Sequence, residues 1–487
     1  MNQSPKEEKP IFTVPEVGSY QDAITNAPQD TSPQLTPPLP PSSPPPPPFE
    51  EDNKKKFILI GAGILIFLLI IFFVARFFLM VGENKNQEAT LTYWGLWEDE
   101  NVLKPLIDEY QKSHPNIKIK YAKQNPKEYR ERVQAAINRG EGPDIFRFHN
   151  TWTKMLQNEL SPMPDSIYTK EEFENTFYPV AVKDLTVNES RYGVPLEIDG
   201  LVVIYNEDIL KAQNLTVPNE WSAFRDVALQ LTTSPQGPVV NAGVALGTAE
   251  NIEHFSDILG LMFLQNGVNL LDPLGPCVDV QNTTCAPDTL RFYRSFAELP
   301  TATWDTSFDN SIVAFAGGKV AMIVAPTWQI LTIKQINPDI NFKIAPVPQL
   351  EGITINWATY WVEGVSRASK NQIAAWEFLK FLSSKESMSK LYTEQSKTRP
   401  FGEPYSRKDL ADTLKSNEYL GALINSAPTM QSFPLAERTL DNGVDDQNIK
   451  YLLDSINNMI SGTSADSAIQ TFSQGSKQVL EKFGYLP

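Results

Sequence analysis

Nineteen consecutive apolar, uncharged residues, Phe57 to Ala75, follow directly on Lys54, Lys55 and Lys56, and this run governs how the rest of the chain must be read. As a helix rising about 1.5 Å per residue it covers about 28 Å, close to the hydrocarbon thickness of a bilayer, and a helix satisfies every backbone group there. Arg76 interrupts the run, but Phe77 to Val81 extends it while the guanidinium reaches back to the interface. The lysines precede the run, so the positive-inside rule places the N-terminus in the cytoplasm and everything after about residue 82 outside. A cleavable leader is disfavoured because 56 residues precede the run and Phe77 and Phe78 stand where small residues are needed. The run contains no cysteine for lipid attachment, and nothing polar that a buried core helix would carry. The expectation is an uncleaved, single-pass anchor in the cell membrane over residues 57–81.

Residues 1–56 are polar and hold ten prolines between Pro33 and Pro48, a composition that predicts a disordered cytoplasmic tail serving as a polyproline spacer or docking on an aromatic-lined partner. The whole chain carries a net charge of −16, a field that repels nucleic acid and anionic lipid and so argues against either as partner. About 400 residues remain outside, enough for two domains with full cores. The two cysteines, Cys277 and Cys285, both lie outside and close together. In an oxidising exterior a disulfide stapling one loop is expected, with free thiols as the alternative; two such ligands are too few for a structural zinc.

The exterior alternates strands and helices. Leu91 to Trp94 reads as a strand, Val102, Leu103, Leu106, Ile107 and Tyr110 recur at helical spacing, and Ile117 to Tyr121 alternates with period two. A second helix carries Tyr129, Val133, Ala136 and Ile137, ends at Gly140, and leads into Asp144-Ile145-Phe146. That βαβαβ order predicts a parallel sheet with ligands at the carboxyl ends of its strands. Leu201 to Tyr205 and Val320 to Val324 are apolar on both faces, as central strands are. Phe315 to Lys319 reads as a helix ending in a glycine turn, and Ile449, Leu452, Leu453, Ile456, Met459 and Ile460 give a regular helical stripe, followed by Gly462 and a last helix through Ile469 and Phe472.

Short segments now add up to a resemblance: Tyr93-Trp94-Gly95, Gly142-Pro143-Asp144-Ile145, Tyr192 to Leu196, Ile204-Tyr205-Asn206, Pro218 to Trp221, Ala245-Leu246-Gly247, Phe315 to Met322, Pro346 to Gln349, and Ala374 to Phe378. In this order, over residues 88–487, the chain resembles the extracellular solute-binding proteins of family 1, the group that includes maltose- and other sugar-binding proteins of ABC importers. The resemblance implies an α/β, two-lobed type II periplasmic-binding-protein fold, with two parallel-rich sheets flanked by helices and discontinuous lobes behind one transmembrane helix. It places lobe I at about 88–200 plus 362–400 and lobe II at about 201–361 plus 401–487. It further implies a carbohydrate (sugar, oligosaccharide or polyol) held between the lobes by hinge closure and delivered to permease and ATPase subunits on other chains, with the binding domain extracellular or periplasmic.

Sugars present apolar faces edged by hydroxyls, so their sites pair flat aromatic rings with carboxylates and amides. The resemblance points to Trp97, Glu98 and Asp99 after the first strand, His149, Asn150 and Trp152 after the Asp144 strand, Glu197 and Asp199 before the first crossing, Trp328 after the second buried strand, and Tyr360 and Trp361 near the return crossing. Trp94 reads equally as a core residue of its strand, Trp221 reads as a structural residue packing at the start of its helix, and Glu98 or Asp99 reads equally as a helix cap. The late cleft tryptophan of better-known sugar binders has no counterpart between Phe433 and Lys450, where Phe433, Arg438 and Asp441 stand instead. The membrane anchor and the proline-rich tail also depart from the family pattern.

An enzyme is not expected. The chain has three histidines, His114, His149 and His254, and no G-x-S-x-G, H-E-x-x-H or P-loop spacing. No cofactor or metal is called for: Asp441 to Asp446 misses the EF-hand spacing and reads as an acidic turn. The rival to an importer subunit is a solute sensor or scaffold signalling through the helix to its cytosolic tail.

Overall fold

The computed structural model describes residues 88–233, 238–278 and 285–487, together with Leu69, Ile71, Phe72 and Arg76. The disordered tail expected over 1–56 lies outside the described residues, as does all but those four of the expected anchor at 57–81. Among the described residues no helix is long and apolar enough to cross a membrane.

Two mixed sheets organise the described chain. The first begins β1 (Ala89–Gly95), α1 (Glu100–Ser113), β2 (Ile117–Lys123), α2 (Tyr129–Asn138), β3 (Ile145–His149). In β2 the isoleucines Ile117 and Ile119 face the core while Lys118 and Lys120 face solvent, the alternation of a half-buried edge strand. Helix α1 covers the sheet through Leu103, Leu106, Ile107 and Tyr110, the i, i+3, i+4, i+7 stripe. It stops at Ser113, two residues before Pro115, whose ring disfavours helical backbone at His114. Strand β1 pairs parallel with both β2 and β3. The sheet is completed by β4 (Val194–Pro195) and β9 (Trp361–Val365), in the order β2-β1-β3-β9-β4. The second sheet comprises β5 (Leu201–Asn206), β6 (Ala242–Val244), β7 (Val320–Pro326) and β8 (Phe342–Ala345), in the order β8-β5-β7-β6. All seven residues of β7 are buried, as a central strand between helical layers requires.

The expectation of two parallel-rich sheets needs correction. Strand β9 runs antiparallel to β3 and to β4, and β5 runs antiparallel to β7 and to β8, leaving β6–β7 as the parallel pair of the second sheet. The cause is the double connection. Strands β1, β3 and β7 end at the space between the sheets, whereas β5 and β9 start there, having just arrived from the other side, so Leu201 pairs with Pro326 and Trp361 with His149. A strand that enters where its neighbours leave must oppose them.

The chain changes sheets between β4 and β5 and returns between β8 and β9. The expected boundary at residue 400 also shifts: Tyr405 bridges to Glu197 and Arg407 to Phe177, so residues 401–407 stay against the first lobe. The pair Cys277–Cys285 is bonded, with Cα atoms 6.2 Å apart. The acidic turn before the long helix Val444–Ile460 is a cap: the Asp441 carboxylate accepts the N–H groups of Gly443, Asp445 and Asp446 at 2.8–3.2 Å.

Gly200 sits where the first connection meets the strand Asn356–Trp357, and a Cβ there would lie 1.9 Å from the Trp357 carbonyl oxygen. Gly200→Ala therefore forces the two connections apart. It is expected to cost about 1–3 kcal/mol in chemical denaturation, and an unchanged midpoint would contradict this packing.

Candidate functional site

The carboxyl ends of β1, β3 and β7 converge on the gap between the sheets, and the loops leaving them supply its walls. Gly95 ends β1 under Tyr121, whose hydroxyl would lie 2.3 Å from any Cβ there, so only glycine lets the chain turn out beside β2. Two residues later Trp97 stands 40% exposed. It meets the Trp361 ring edge-on at 5.6 Å, and Trp361 in turn packs at right angles against His149 (5.2 Å) and Trp152 (5.3 Å). These edge-to-face contacts fix the ring planes, so the first lobe presents a rigid aromatic wall. His149 is held at both ring nitrogens, Nδ1 by the Thr151 hydroxyl at 2.7 Å and Nε2 by the Thr359 hydroxyl at 3.0 Å. Burial pushes it down to about 3, so it is neutral.

Asp199, in the first connection, accepts four hydrogen bonds: from the N–H of Gly200 (2.6 Å) and of Thr327 (3.0 Å), from the Thr327 hydroxyl (2.9 Å), and from the N–H of Trp328 (3.1 Å). Burial still raises its pKa, to about 6. Its own carbonyl accepts the Thr359 N–H of the return connection at 2.9 Å. The residue thus joins both connections and the end of β7, and it sets the position of Trp328. That indole is 38% exposed and stands edge-on to His254 at 5.5 Å. His254 is fixed by Asp257 (3.1 Å) and Gln329 (2.9 Å).

A loop at 399–404 and a second at 437–440 close the rim. Arg399 pairs with Glu98 at 3.2 Å, and Glu403 reaches the buried Arg147 at 3.2 Å while Glu363 holds the same guanidinium at 2.7 Å. On the far side Arg438 is bonded to Glu253. The resulting cavity measures about 480 Å³, within the range of small-ligand sites. Both aromatic walls, Trp97 with Trp361 and Trp328, line it, as do His149, Glu197 and Asp199.

Six of the eleven residues expected at the site therefore meet there, and five do not line the cavity. Glu98 is buried beneath it, spent on Gln395 (3.0 Å) and Arg399, with its pKa pushed up to about 7 by burial and by the charge of Glu403. Asp99 precedes α1 and is exposed, pairing with Lys123 at 2.8 Å. Trp152 is 1% exposed and supports Trp361 from behind. Asn150 and Tyr360 turn away, both hydrogen-bonded to Asp184 (2.8 and 2.9 Å), and Asn150 lines a separate cavity of about 380 Å³. Each pair straddles a strand end: His149 closes β3 and Trp361 opens β9, while Asn150 begins a short 3-10 turn and Tyr360 lies in the return connection, so the neighbours take different directions. Conversely, Arg399, Glu403, Glu437 and Thr439 line the cavity but stand on irregular loops without any periodic signal. The nearest sequence cue is Arg399 itself, a charged residue before Pro400.

Comparison with known proteins gives concordant results. A family model described as bacterial extracellular solute-binding protein matches residues 105–417. The chain is 21% identical over 320 residues to a multiple sugar-binding protein of Streptococcus mutans, covering 64% of this chain and 74% of the relative. It is 23% identical over 294 residues to a maltotriose-binding protein of Pyrococcus abyssi, covering 58% and 59%. Among solved structures, cyclo/maltodextrin-binding protein complexed with maltotetraose superposes with a TM-score of 0.63 at 18% identity, over 80% of this chain and 97% of that one. The sugar-binding protein MalE from Xanthomonas citri gives 0.66 at 17% identity, over 82% and 98%.

The buried, neutral His149 makes a pH prediction. A histidine whose pKa is depressed on folding contributes stability that is complete above its unfolded value and is lost as pH falls, because the unfolded chain gains a proton the folded one refuses. Between pH 7 and pH 5 the loss from this residue is about 2 kcal/mol. Denaturation of the parent and of His149→Gln at both pH values should show the parent losing that much more than the variant; parallel losses would refute a neutral His149.

Proposed function

The chain belongs to the bacterial extracellular solute-binding proteins, and from that premise we propose that it captures a carbohydrate (sugar, oligosaccharide or polyol) in the cavity between its lobes and delivers it to an ABC-type importer. The observation that carries the reading is the pair of aromatic walls on opposite sides of one 480 Å³ space, with carboxylates between them. Flat rings cover the apolar faces of a sugar and carboxylates accept from its hydroxyls. The names of the relatives, multiple sugar-binding and maltotriose-binding, support the same class of ligand.

The work is done by hinge closure. A ligand shifts an open–closed equilibrium only through contacts better made in the closed form, and here that means bridging Trp361 and Trp97 on one side to Trp328 on the other. The hinge consists of the connections at 196–200 and 358–360, with a third passage after residue 407, so the lobes comprise about 88–200 with 361–407 and about 201–360 with the remainder. Asp199 acts as the positioning residue for Trp328, and Trp97, His149, Glu197, Trp328 and Trp361 contact the solute. Recognition by a closed form gives permease and ATPase partners on other chains a reason to respond only to loaded protein.

The apolar run at 57–81 serves as the anchor, with the N-terminus in the cytoplasm and the binding domain outside. Tethering keeps the receptor beside its importer, where a secreted protein would be diluted, and the proline-rich tail is the cytoplasmic stub of that tether. No chemistry is assigned to the site: Asp199 and Glu253 build its walls through hydrogen bonds and an ion pair, and the remaining acids serve as acceptors for the solute.

Three measurements test the proposal. Melting of the full chain in detergent against a panel of mono- and oligosaccharides should rise with at least one of them; a panel that leaves the transition unmoved overturns the reading. Trp328→Ala should then weaken that ligand by about 1–3 kcal/mol without loss of fold, whereas unchanged titration would mean the second wall does not touch it. Deleting residues 1–50 should leave affinity as it is, since the tail lies across the bilayer, and a loss would contradict the topology.

A further inference from the structure

The cavity carries more hydrogen-bonding capacity than its walls consume, and the surplus is distributed across both lobes. On the first lobe the Glu403 side chain is 10% exposed; one oxygen meets Arg147 at 3.2 Å and the other, Oε2, has no partner. On the second lobe, Thr439 is 3% exposed with a partnerless hydroxyl, and Glu437 beside it has a buried Oε2 without a partner. All three residues line the 480 Å³ space. Buried acceptors without donors cost about 1–3 kcal/mol each, and their collection around one cavity marks the places where a ligand supplies what the protein does not.

The sign of the charges restricts what that ligand can be. Five carboxylates line the cavity, at Glu197, Asp199, Glu253, Glu403 and Glu437, against two guanidinium groups, at Arg399 and Arg438. Both guanidinium groups face carboxylates, Arg399 that of Glu98 through Nη1 and Arg438 that of Glu253, while Nε and Nη2 of Arg399 have no partner and stand as donors for a ligand oxygen. Around Glu437 stand Asp257, Glu253, His254 and Arg438; burial, and the repulsion of the two acids, hold its carboxyl at about 7. A carboxylate or phosphate on the ligand would enter a space where acids outnumber bases, while a hydroxyl or an ammonium would meet waiting acceptors.

Resting on the carbohydrate reading above, we propose that Glu403 and Glu437, one on each lobe, are the acceptors that grip the sugar, and that the cavity takes neutral and amino saccharides and rejects uronic acids and sugar phosphates. Glu403 holds the ligand to the first lobe and Glu437, with Thr439, to the second. Closure brings the two carboxylates onto opposite edges of the same molecule.

The test uses the full chain in detergent and isothermal titration at pH 7.5. The probes are maltose, cellobiose and lactose, each beside its 2-amino-2-deoxy and its uronic-acid counterpart. The expected result is at least one neutral or amino disaccharide bound, with its uronic-acid counterpart weakened by about tenfold or more. Glu437→Gln keeps the shape and breaks no hydrogen bond of that side chain; it should narrow the gap between amino and uronic sugars and weaken the amino sugar by about tenfold. Thr439→Val should weaken the neutral sugar while the melting temperature without ligand stays near the parent's. Glu403→Gln should behave as Glu437→Gln does, with some loss of stability because it faces Arg147. A uronic acid bound as tightly as its neutral counterpart, or Glu437→Gln with unaltered preference, overturns this assignment while leaving a carbohydrate-binding protein in place. Failure of every saccharide, charged or not, overturns the carbohydrate reading as well.

Discussion

Both lobes meet at Asp199. Its carboxylate collects four donors from Gly200, Thr327 and Trp328, and its carbonyl accepts the Thr359 N–H, so the outward connection, the return connection and the end of β7 are tied at one residue. Desolvation of that carboxylate is costly, and its raised pKa records the cost. Four well-placed donors offset it, which is the usual condition for a buried acid to persist. What the knot achieves is precision at a distance: the backbone of Trp328 is placed by a residue that belongs to the crossing itself, so the aromatic wall of the second lobe is referenced to the hinge and not to its own surface loops.

The first lobe solves the corresponding problem with charge. Arg147, on β3, is 3% exposed and carries Glu363 from the neighbouring strand and Glu403 from the rim loop. A buried ion group of this kind gives little net stability, because desolvation opposes attraction; what it does supply is geometry, since a guanidinium donates to carboxylates in its own plane. Glu403 is thereby positioned from within the sheet although it stands on an irregular loop. Gln395 adds a second tie, donating to Glu98 at 3.0 Å and accepting the Glu403 N–H at 2.7 Å. The rim loop is anchored as firmly as a strand.

The mixed character of the sheets and the location of the site have the same origin. A chain that crosses twice between two α/β units must bring strands in at the very edge where other strands leave, so antiparallel neighbours gather at the gap. The carboxyl ends of β1, β3 and β7 open there, with the starts of β5 and β9 between them. Loops leaving strands and connections arriving from the other lobe therefore share one space, which is why residues as distant in sequence as Trp97, Asp199, Trp328, Trp361 and Glu437 come to line it.

The sequence by itself determined the periodic part of this protein. The alternation in Ile117 to Tyr121, the stripe Leu103, Leu106, Ile107 and Tyr110, and the doubly apolar runs at Leu201 and Val320 report local burial, and local burial is written every second or every third and fourth residue. The aromatic residues at strand ends were legible for the same reason, since the end of a strand can be read from where its pattern stops. Only the tertiary structure decided which neighbour of each pair faces the cavity, His149 over Asn150 and Trp361 over Tyr360, because each pair straddles a strand end, where the turn or connection beyond the strand sets the direction of the outer residue. It also decided that Glu98 lies spent beneath the floor while Glu403 and Glu437 stand in the wall. Loop side chains carry no periodicity, and their environment is set by partners, such as Arg147 and Asp257, that the chain brings close only by folding.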